Sequence, residues 1–150
     1  MPGSVPFQDA IDKLDFELIR SKIQSFTVSP YGYEHLEKLE PMTIFAEVHD
    51  ELERVRQMSF LLDSEDSPPL ENVPDCRRAL HRASLEASVL AGEDFRDILI
   101  ALRVSRSLRQ FFRKREEKVP LLGALADTLI EEKMLEFHVD RIVDEEGNVK

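Results

Sequence analysis

The sequence predicts a mainly α-helical domain that ends in one short β-hairpin strand. Two long segments place apolar residues three and four positions apart, which is the period of a helix with one buried face. Residues that start or stop helices bound both segments, and β-branched runs of strand length are scarce. With 150 residues, the chain is long enough to form a single domain with a sizeable core.

Two short helices are predicted first, over residues 14–25 and 30–39. Ser29 supplies a hydroxyl acceptor as the N-cap of the second helix. Pro30 takes its first position, where the missing N–H of proline is not needed. Residues 1–8 are predicted to be a disordered lead-in, and residues 9–150 to form the helical domain.

The first long helix is predicted to run from Thr43, as its N-cap, to Leu62. One stripe of it is expected to be buried and contains Phe45, Val48, Leu52, Val55 and Leu62, with Ser59 filling one gap. The opposite face is rich in Glu, Asp and Arg and is expected to meet water. Turn-forming residues, acids and a double proline at 63–69 should end the helix.

The second long helix is predicted over residues 93–115. Its broad apolar stripe contains Phe95, Ile98, Leu99, Leu102, Leu108, Phe111 and Phe112. Acidic residues crowd its first turns and basic residues its last, and both placements suit the helix dipole. Shorter helices are predicted at 74–83, 120–129 and 131–141.

Residues 141–150 carry the strongest strand signal. A short β-branched run enters a turn that contains Gly147 and Asn148, and the chain leaves this turn through Val149. A hairpin needs a second strand of several residues, so this pattern favours a chain truncated from a longer protein. A frayed natural terminus is the alternative.

Composition excludes several classes of protein. The chain has 30 Asp plus Glu against 20 Lys plus Arg, a net charge of −10 that argues against a general nucleic-acid coat. Its one cysteine, Cys76, excludes an intramolecular disulfide and fits a cytoplasmic location. The longest apolar run is too short to span a membrane, and the first residues lack the features of a signal peptide. We therefore expect no membrane partner.

No catalytic, cofactor-binding or metal-ligating residue is predicted. The five glycines lie too far apart for a Walker A loop or a dinucleotide-binding turn. His49 and Glu53 share a helix face, but two ligands do not make a metal site. There is no nucleophile elbow, and Cys76 has no histidine at a motif spacing.

One basic stripe stands out from this acidic background. The segment from Cys76 to Lys118 has 11 basic and 6 acidic residues, a net charge of +5, and the remainder has 9 and 24, a net charge of −15. The stripe follows one face of the second long helix and contains Arg103, Arg106, Arg109 and Arg113. It is a candidate for a weak contact with nucleic-acid phosphates. The alternative is that these arginines pair with acidic helices of the same domain or face solvent.

Short signature stretches lie along most of the chain from Leu14 onward. They are Leu14–Arg20, Ser29–Gly32, Leu36–Pro41, Asn72–Asp75, Arg78–Ala83, Val89–Leu90, the helix from Phe95 to Phe112, and the end from Ile142 to Val149. Together they resemble the amino-terminal region of the second type of bacterial MutS homologue, the subfamily that ends in a Smr domain. These stretches are packing and turn signatures, and none is catalytic.

The resemblance implies a MutS core and lever-like domain that is a fragment of a longer protein. Such a parent is an ATPase and endonuclease that binds unusual DNA or acts on stalled ribosomes. Its ATP and magnesium are expected only in the missing ATPase domain. The chain itself would be a non-catalytic structural and relay region, with the remaining domains, DNA or the ribosome as partners and possible self-association through exposed apolar surface. The alternative is a stand-alone acidic helical adaptor for a basic protein partner.

Overall fold

The computed structural model describes residues 13–64 and 67–150, and seven helices lie in these two segments. They are α1 (Phe16–Gln24), α2 (Pro30–Glu37), α3 (Phe45–Asp63), α4 (Arg77–Ala83), α5 (Gly92–Arg113), α6 (Pro120–Ala126) and α7 (Lys133–Asp140). The mainly α-helical class is therefore confirmed. The predicted lead-in at residues 1–8 lies outside the described residues.

Local capping signals place the helix ends within a few residues of the prediction. Ser29 caps α2, because its hydroxyl oxygen accepts a hydrogen bond from the Gly32 N–H at 3.1 Å. Pro30 takes the first position of α2, as predicted. Thr43, in contrast, is not the N-cap of α3: that position belongs to Ile44, whose side chain makes no capping bond.

Helix α5 is the longest element, and α4, α6 and α7 all pack against it. The main core lies among α3, α5 and α6 and contains Leu61, Leu108, Phe112, Val119, Leu122 and Ala126. Two smaller clusters join α4 and α7 to the first half of α5 through Ile98 and Leu99. The apolar stripe predicted for this helix is thus confirmed, with Phe95, Leu102 and Phe111 half-buried at its edges.

The buried stripe predicted for α3 is wrong. Phe45 is 83% exposed, Leu52 64% and Val55 61%. The buried residues of α3 are Gln57 and Leu61, on the other side of the helix. Periodicity shows which residues share a face, but not which face meets the domain. Here α6 packs on the more polar side.

Gln57 is a polar residue that is only 2% exposed in this core, because its side-chain amide is hydrogen-bonded there. Its Oε1 accepts hydrogen bonds from the backbone N–H groups of Leu121 at 3.1 Å and Leu122 at 3.2 Å. These N–H groups belong to the first turn of α6, whose N-cap Val119 has no side-chain oxygen. Gln57 therefore caps α6 from the neighbouring helix, and its Nε2 donates to Glu53 Oε1 at 3.0 Å.

Gln57→Leu should lower the free energy of unfolding by about 1–3 kcal/mol, because it leaves two backbone N–H groups of α6 without an acceptor. Urea denaturation followed by circular dichroism measures this loss. Gln110→Leu, at an exposed position on α5, is the matched control and should stay within about 0.5 kcal/mol of the wild type. Equal losses in the two variants would show that the cap contributes nothing to stability.

The carboxyl end folds back onto the start of α5. Asp144 Oδ1 accepts from the backbone N–H groups of Glu146 and Asn148 at 3.0 and 2.8 Å, and Gly147 has a φ of 87°. A Cβ added at Gly92 would overlap the Gly147 carbonyl oxygen. The predicted hairpin strand appears only as a single antiparallel bridge between Val143 and Val149, and residues 13–64 and 67–150 contain no longer strand.

Candidate functional site

The predicted basic stripe of α5 faces α7 and the connection that leads to it. Arg106 forms a two-pronged ion pair with Glu136, in which Nε and Nη2 donate to the two carboxylate oxygens at 2.9 and 2.7 Å. The Glu136 side chain is only 15% exposed. Two parallel bonds of this kind fix both position and orientation, so Arg106 joins α5 firmly to α7.

Arg103 extends the same contact by one helical turn. Its Nη2 donates to Asp140 Oδ1 at 2.6 Å, and its Nε lies 3.7 Å from Glu136 Oε1. We call the four residues Arg103, Arg106, Glu136 and Asp140 the α5–α7 clasp. Apolar packing of Leu99 against Val139 and Val143 lies in the same interface between the two helices.

The other two arginines differ from the clasp residues. Arg109 lies 3.6 Å from Asp127 and donates to the Leu129 carbonyl oxygen at 3.3 Å, so it binds the connection between α6 and α7. Ser105 donates to the Ile130 carbonyl oxygen of the same connection at 2.6 Å. Arg113 is exposed and forms no ion pair within residues 13–64 and 67–150.

Charge around the stripe is close to balanced. The hydrogen bonds and charge of Glu136 raise the pKa of Arg106 above its ordinary value. The pKa of Glu131 is lowered, first by its hydrogen bond with Lys133 and further by the nearby arginines. The pairing alternative therefore describes Arg103, Arg106 and Arg109. A nucleic-acid contact stays a prediction, and Arg113 is the arginine best placed to make one.

Nothing in the described part of the chain fits a metal or nucleotide site. No group of three or more His, Cys, Asp and Glu side chains in that part could hold a metal ion. Gly92 closes against Gly147, and Gly123 lies inside α6 against Glu116, so neither opens a phosphate-binding loop. These residues therefore do not fit ATP or magnesium. The described helices include none with the length and apolar character of a membrane span.

A second polar cluster, which the sequence analysis did not single out, joins α2 to the start of α4. The Tyr31 hydroxyl accepts from the Cys76 backbone N–H at 3.3 Å and lies 3.5 Å from Cys76 Sγ. Arg77 pairs with Asp75 at 2.7 Å and with Glu34. Its guanidinium lies 5.1 Å from the centre of the Tyr31 ring. No local motif marks this cluster, because its members on α2 and near α4 lie more than 40 residues apart.

This cluster should make part of the stability depend on pH. The Arg77 guanidinium holds the pKa of Asp75 at about 2, and Lys38 and Arg77 hold that of Glu34 at about 2. Both values lie below the ordinary 3.8 and 4.5. A lowered carboxyl pKa means that the stabilisation is complete above the ordinary value and is lost as the pH falls towards 2.

Thermal melting of the wild type and Arg77→Leu at pH 6 and pH 2 isolates this contribution. The variant should melt lower at pH 6 in low salt, and the gap between the two should narrow strongly at pH 2, where each carboxyl group is already about half protonated in the folded wild type. Because these groups are exposed, added salt should also narrow the gap. A gap of the same size at both pH values would contradict the assignment of the two carboxylates.

Taken together, these features define a helical domain in which the polar side chains described above join one helix to another. Comparison with known proteins then identifies its relatives. A protein named Endonuclease MutS2 from Bacillus velezensis is 27% identical over 145 residues, which are 95% of this chain. Proteins of the same name from Symbiobacterium thermophilum and Listeria monocytogenes serotype 4a are each 30% identical over 91% of this chain.

The chain is homologous to the MutS2 proteins, and the resemblance found in its sequence is confirmed. It spans only 17–18% of the length of these three relatives. No protein-family model matches the chain. No solved structure matches it either.

Proposed function

We propose that this chain is a non-catalytic structural and relay region, at the amino-terminal end of a MutS-like, Smr-bearing ATPase and endonuclease that acts on DNA or the ribosome in the cytoplasm. The observation that carries the proposal is the match of nearly the whole chain to a small part of much longer proteins named Endonuclease MutS2. A region of that size would form one structural part of a much longer protein.

The contacts of α5 support a relay role. Its first turn packs against the turn that contains Gly147, its middle is tied to α7 through the clasp, and its last turns pack against α6. Helix α5 therefore has packed or hydrogen-bonded partners along its length, and a movement at one of its ends would also displace these partners. Elements with such fixed contacts move as rigid bodies, and that is how they relay a nucleotide-driven change to a distant site.

The test uses the full-length protein that contains this chain. Glu136→Ala removes the half-buried acceptor of the clasp, and Glu132→Ala, an exposed residue one turn earlier, is the matched control. ATP hydrolysis is measured with and without branched DNA, and separately with ribosomes. Glu136→Ala should leave basal hydrolysis unchanged and reduce the response to the macromolecule several-fold, whereas Glu132→Ala should change neither. An unchanged response in Glu136→Ala would contradict the relay.

A direct nucleic-acid contact through the basic stripe is the second candidate. Arg113 favours it, because this exposed arginine has no ion-pair partner among residues 13–64 and 67–150. The contact predicts binding by the 150-residue chain that weakens as salt rises, with a smaller salt slope in Arg113→Ala. Arg106→Ala should have less effect on the slope, because this arginine is already paired with Glu136. A flat salt response would exclude the contact.

The acidic adaptor remains the alternative to both. Exposed apolar residues on α1 and α3 and the net charge of −10 are what such an adaptor would present to a basic partner. Reading the gene beyond codon 150 separates the alternatives. A downstream Walker A motif supports the ATPase region, and an immediate stop codon supports the adaptor.

A further inference from the structure

Helix α3 carries a continuous apolar stripe on its outer side. The stripe contains Phe45, Val48, Leu52, Val55 and Leu62, with Ser59 between the last two. Phe45, Leu52, Val55 and Leu62 are 83%, 64%, 61% and 54% exposed, whereas Val48 is half-buried. At 100° per residue these positions lie opposite the buried Gln57 and Leu61. No other helix described in residues 13–64 and 67–150 packs on this side of α3.

The spacing of the stripe is that of a coiled-coil seam. Its residues follow strict alternating steps of three and four, which average 3.5 residues, for two and a half heptads. Phe45, Leu52 and Ser59 take the a positions, and Val48, Val55 and Leu62 take the d positions. Such a narrow seam suits one partner helix that runs alongside α3, because a globular core usually needs a broader apolar face.

The flanking charges point to a second copy of this chain and to a parallel orientation. In a parallel pair, Glu51 at position g faces Arg56 at position e of the second copy, and the symmetry repeats this attraction. Both side chains are accessible, at 49% and 69% exposure. In an antiparallel pair, Arg56 would face His49 and Glu51 would face Met58, and neither contact is attractive. We propose that α3 is a self-association seam through which two copies of the chain pair in parallel.

Three features predict that this pairing is weak and reversible. Eighteen residues of helix form a seam only about 27 Å long. Ser59 puts a hydroxyl at an a position, which lowers stability and favours one register. Glu51 and Arg56 already pair along α3 with Arg54 and Glu53. Arg56 can bond a second carboxylate, because a guanidinium has five N–H donors.

Charge exchange at the seam tests the proposal with the 150-residue chain. Sedimentation equilibrium is measured for the wild type, Glu51→Arg, Arg56→Glu and an equimolar mixture of the two variants. The wild type should associate as its concentration rises. Each variant alone brings like charges together twice and should weaken association about tenfold. The mixture restores both attractions and should return close to the wild-type value.

Glu47→Arg is the matched control, since Glu47 is exposed on α3 but lies off the seam. It should associate like the wild type, and circular dichroism should show the same helix content in all variants. Oxidative cross-linking of Ser59→Cys tests the orientation, because only the parallel register brings the introduced thiol of one copy next to that of the other. Oxidation of the wild type, whose single cysteine Cys76 is buried, measures the background level of cross-linking.

Three results would overturn the proposal. They are a monomer at every concentration, association that Glu51→Arg and Arg56→Glu leave unchanged, and single-variant losses that mixing does not restore. The relay function does not depend on any of these results, because it is measured by the response of ATP hydrolysis to DNA or ribosomes.

Discussion

Leu61→Ala is expected to lower the free energy of unfolding by about 3 kcal/mol, and Leu62→Ala by less than about 1 kcal/mol. The two residues are neighbours in α3, but Leu61 is 1% exposed and Leu62 is 54% exposed. Leu61 packs in the main core with Leu108, Phe112 and Leu122, so its truncation leaves a cavity among three helices. Truncation at Leu62 removes side-chain atoms that mostly contact water.

Urea denaturation of both variants, followed by circular dichroism, measures the difference. The pair is informative because the sequence periodicity makes the opposite prediction: it puts Leu62 on the buried face and leaves Leu61 out. A larger loss for Leu62→Ala than for Leu61→Ala would mean that the orientation of α3 described above is wrong. If the slopes of the two denaturation curves are similar, the two free energies of unfolding can be compared directly.

Gly92→Ala should destabilise the chain by about 2 kcal/mol or more, although alanine normally favours a helix over glycine by roughly 1 kcal/mol. The added Cβ would overlap the Gly147 carbonyl oxygen, which is backbone and cannot rotate away. The turn at 144–148 must therefore separate from the first turn of α5. Hydrogen exchange should show this locally, as faster exchange at the backbone N–H groups of Asp144 and Lys150.

Gly123→Ala is the control for this prediction and should have the opposite sign. A Cβ at Gly123 would meet the Glu116 side chain at an ordinary 3.6 Å, so the variant should gain up to about 1 kcal/mol from helix propensity. If Gly92→Ala also gains stability, then the turn does not pack against α5 as closely as described. Thermal melting of both variants gives this comparison directly.

Local signals in the sequence predict much of the helical framework. The Ser29 cap and Pro30 define the start of α2, and acidic and basic residues mark the two ends of α5, so both helices lie close to their predicted ranges. The apolar stripe of α5 is broad, and this helix is buried against several neighbours. The sequence predicts these features because the local signals at the helix ends agree with the way the helices pack in the domain.

The face of α3 could not be predicted in the same way. Its best apolar stripe is the exposed one, while the side that meets α6 depends on Gln57, a polar residue with no partner nearby in sequence except Glu53. The two N–H groups that Gln57 binds lie 64 and 65 residues away. Periodicity describes one helix at a time, so it cannot reveal a cap that a distant helix supplies.

The basic stripe shows both the strength and the limit of the sequence argument. The spacing correctly places Arg103, Arg106 and Arg109 on one side of α5. Their partners on α7 and its connection follow only from the fold, because Glu136 lies 30 residues from Arg106 and the intervening chain must first turn back. The same arginines that resemble a phosphate-binding surface in the sequence are largely engaged within the domain.

We propose that this chain positions other elements and relays their movement, and that it performs no chemistry itself. Incubating the purified 150-residue chain with ATP, magnesium and branched DNA, while measuring phosphate release and strand cleavage, tests it most directly. We expect neither activity above the buffer background. Turnover that increases in proportion to chain concentration would contradict this proposal, provided that it is absent from the unfolded variant Leu61→Asp purified in the same way.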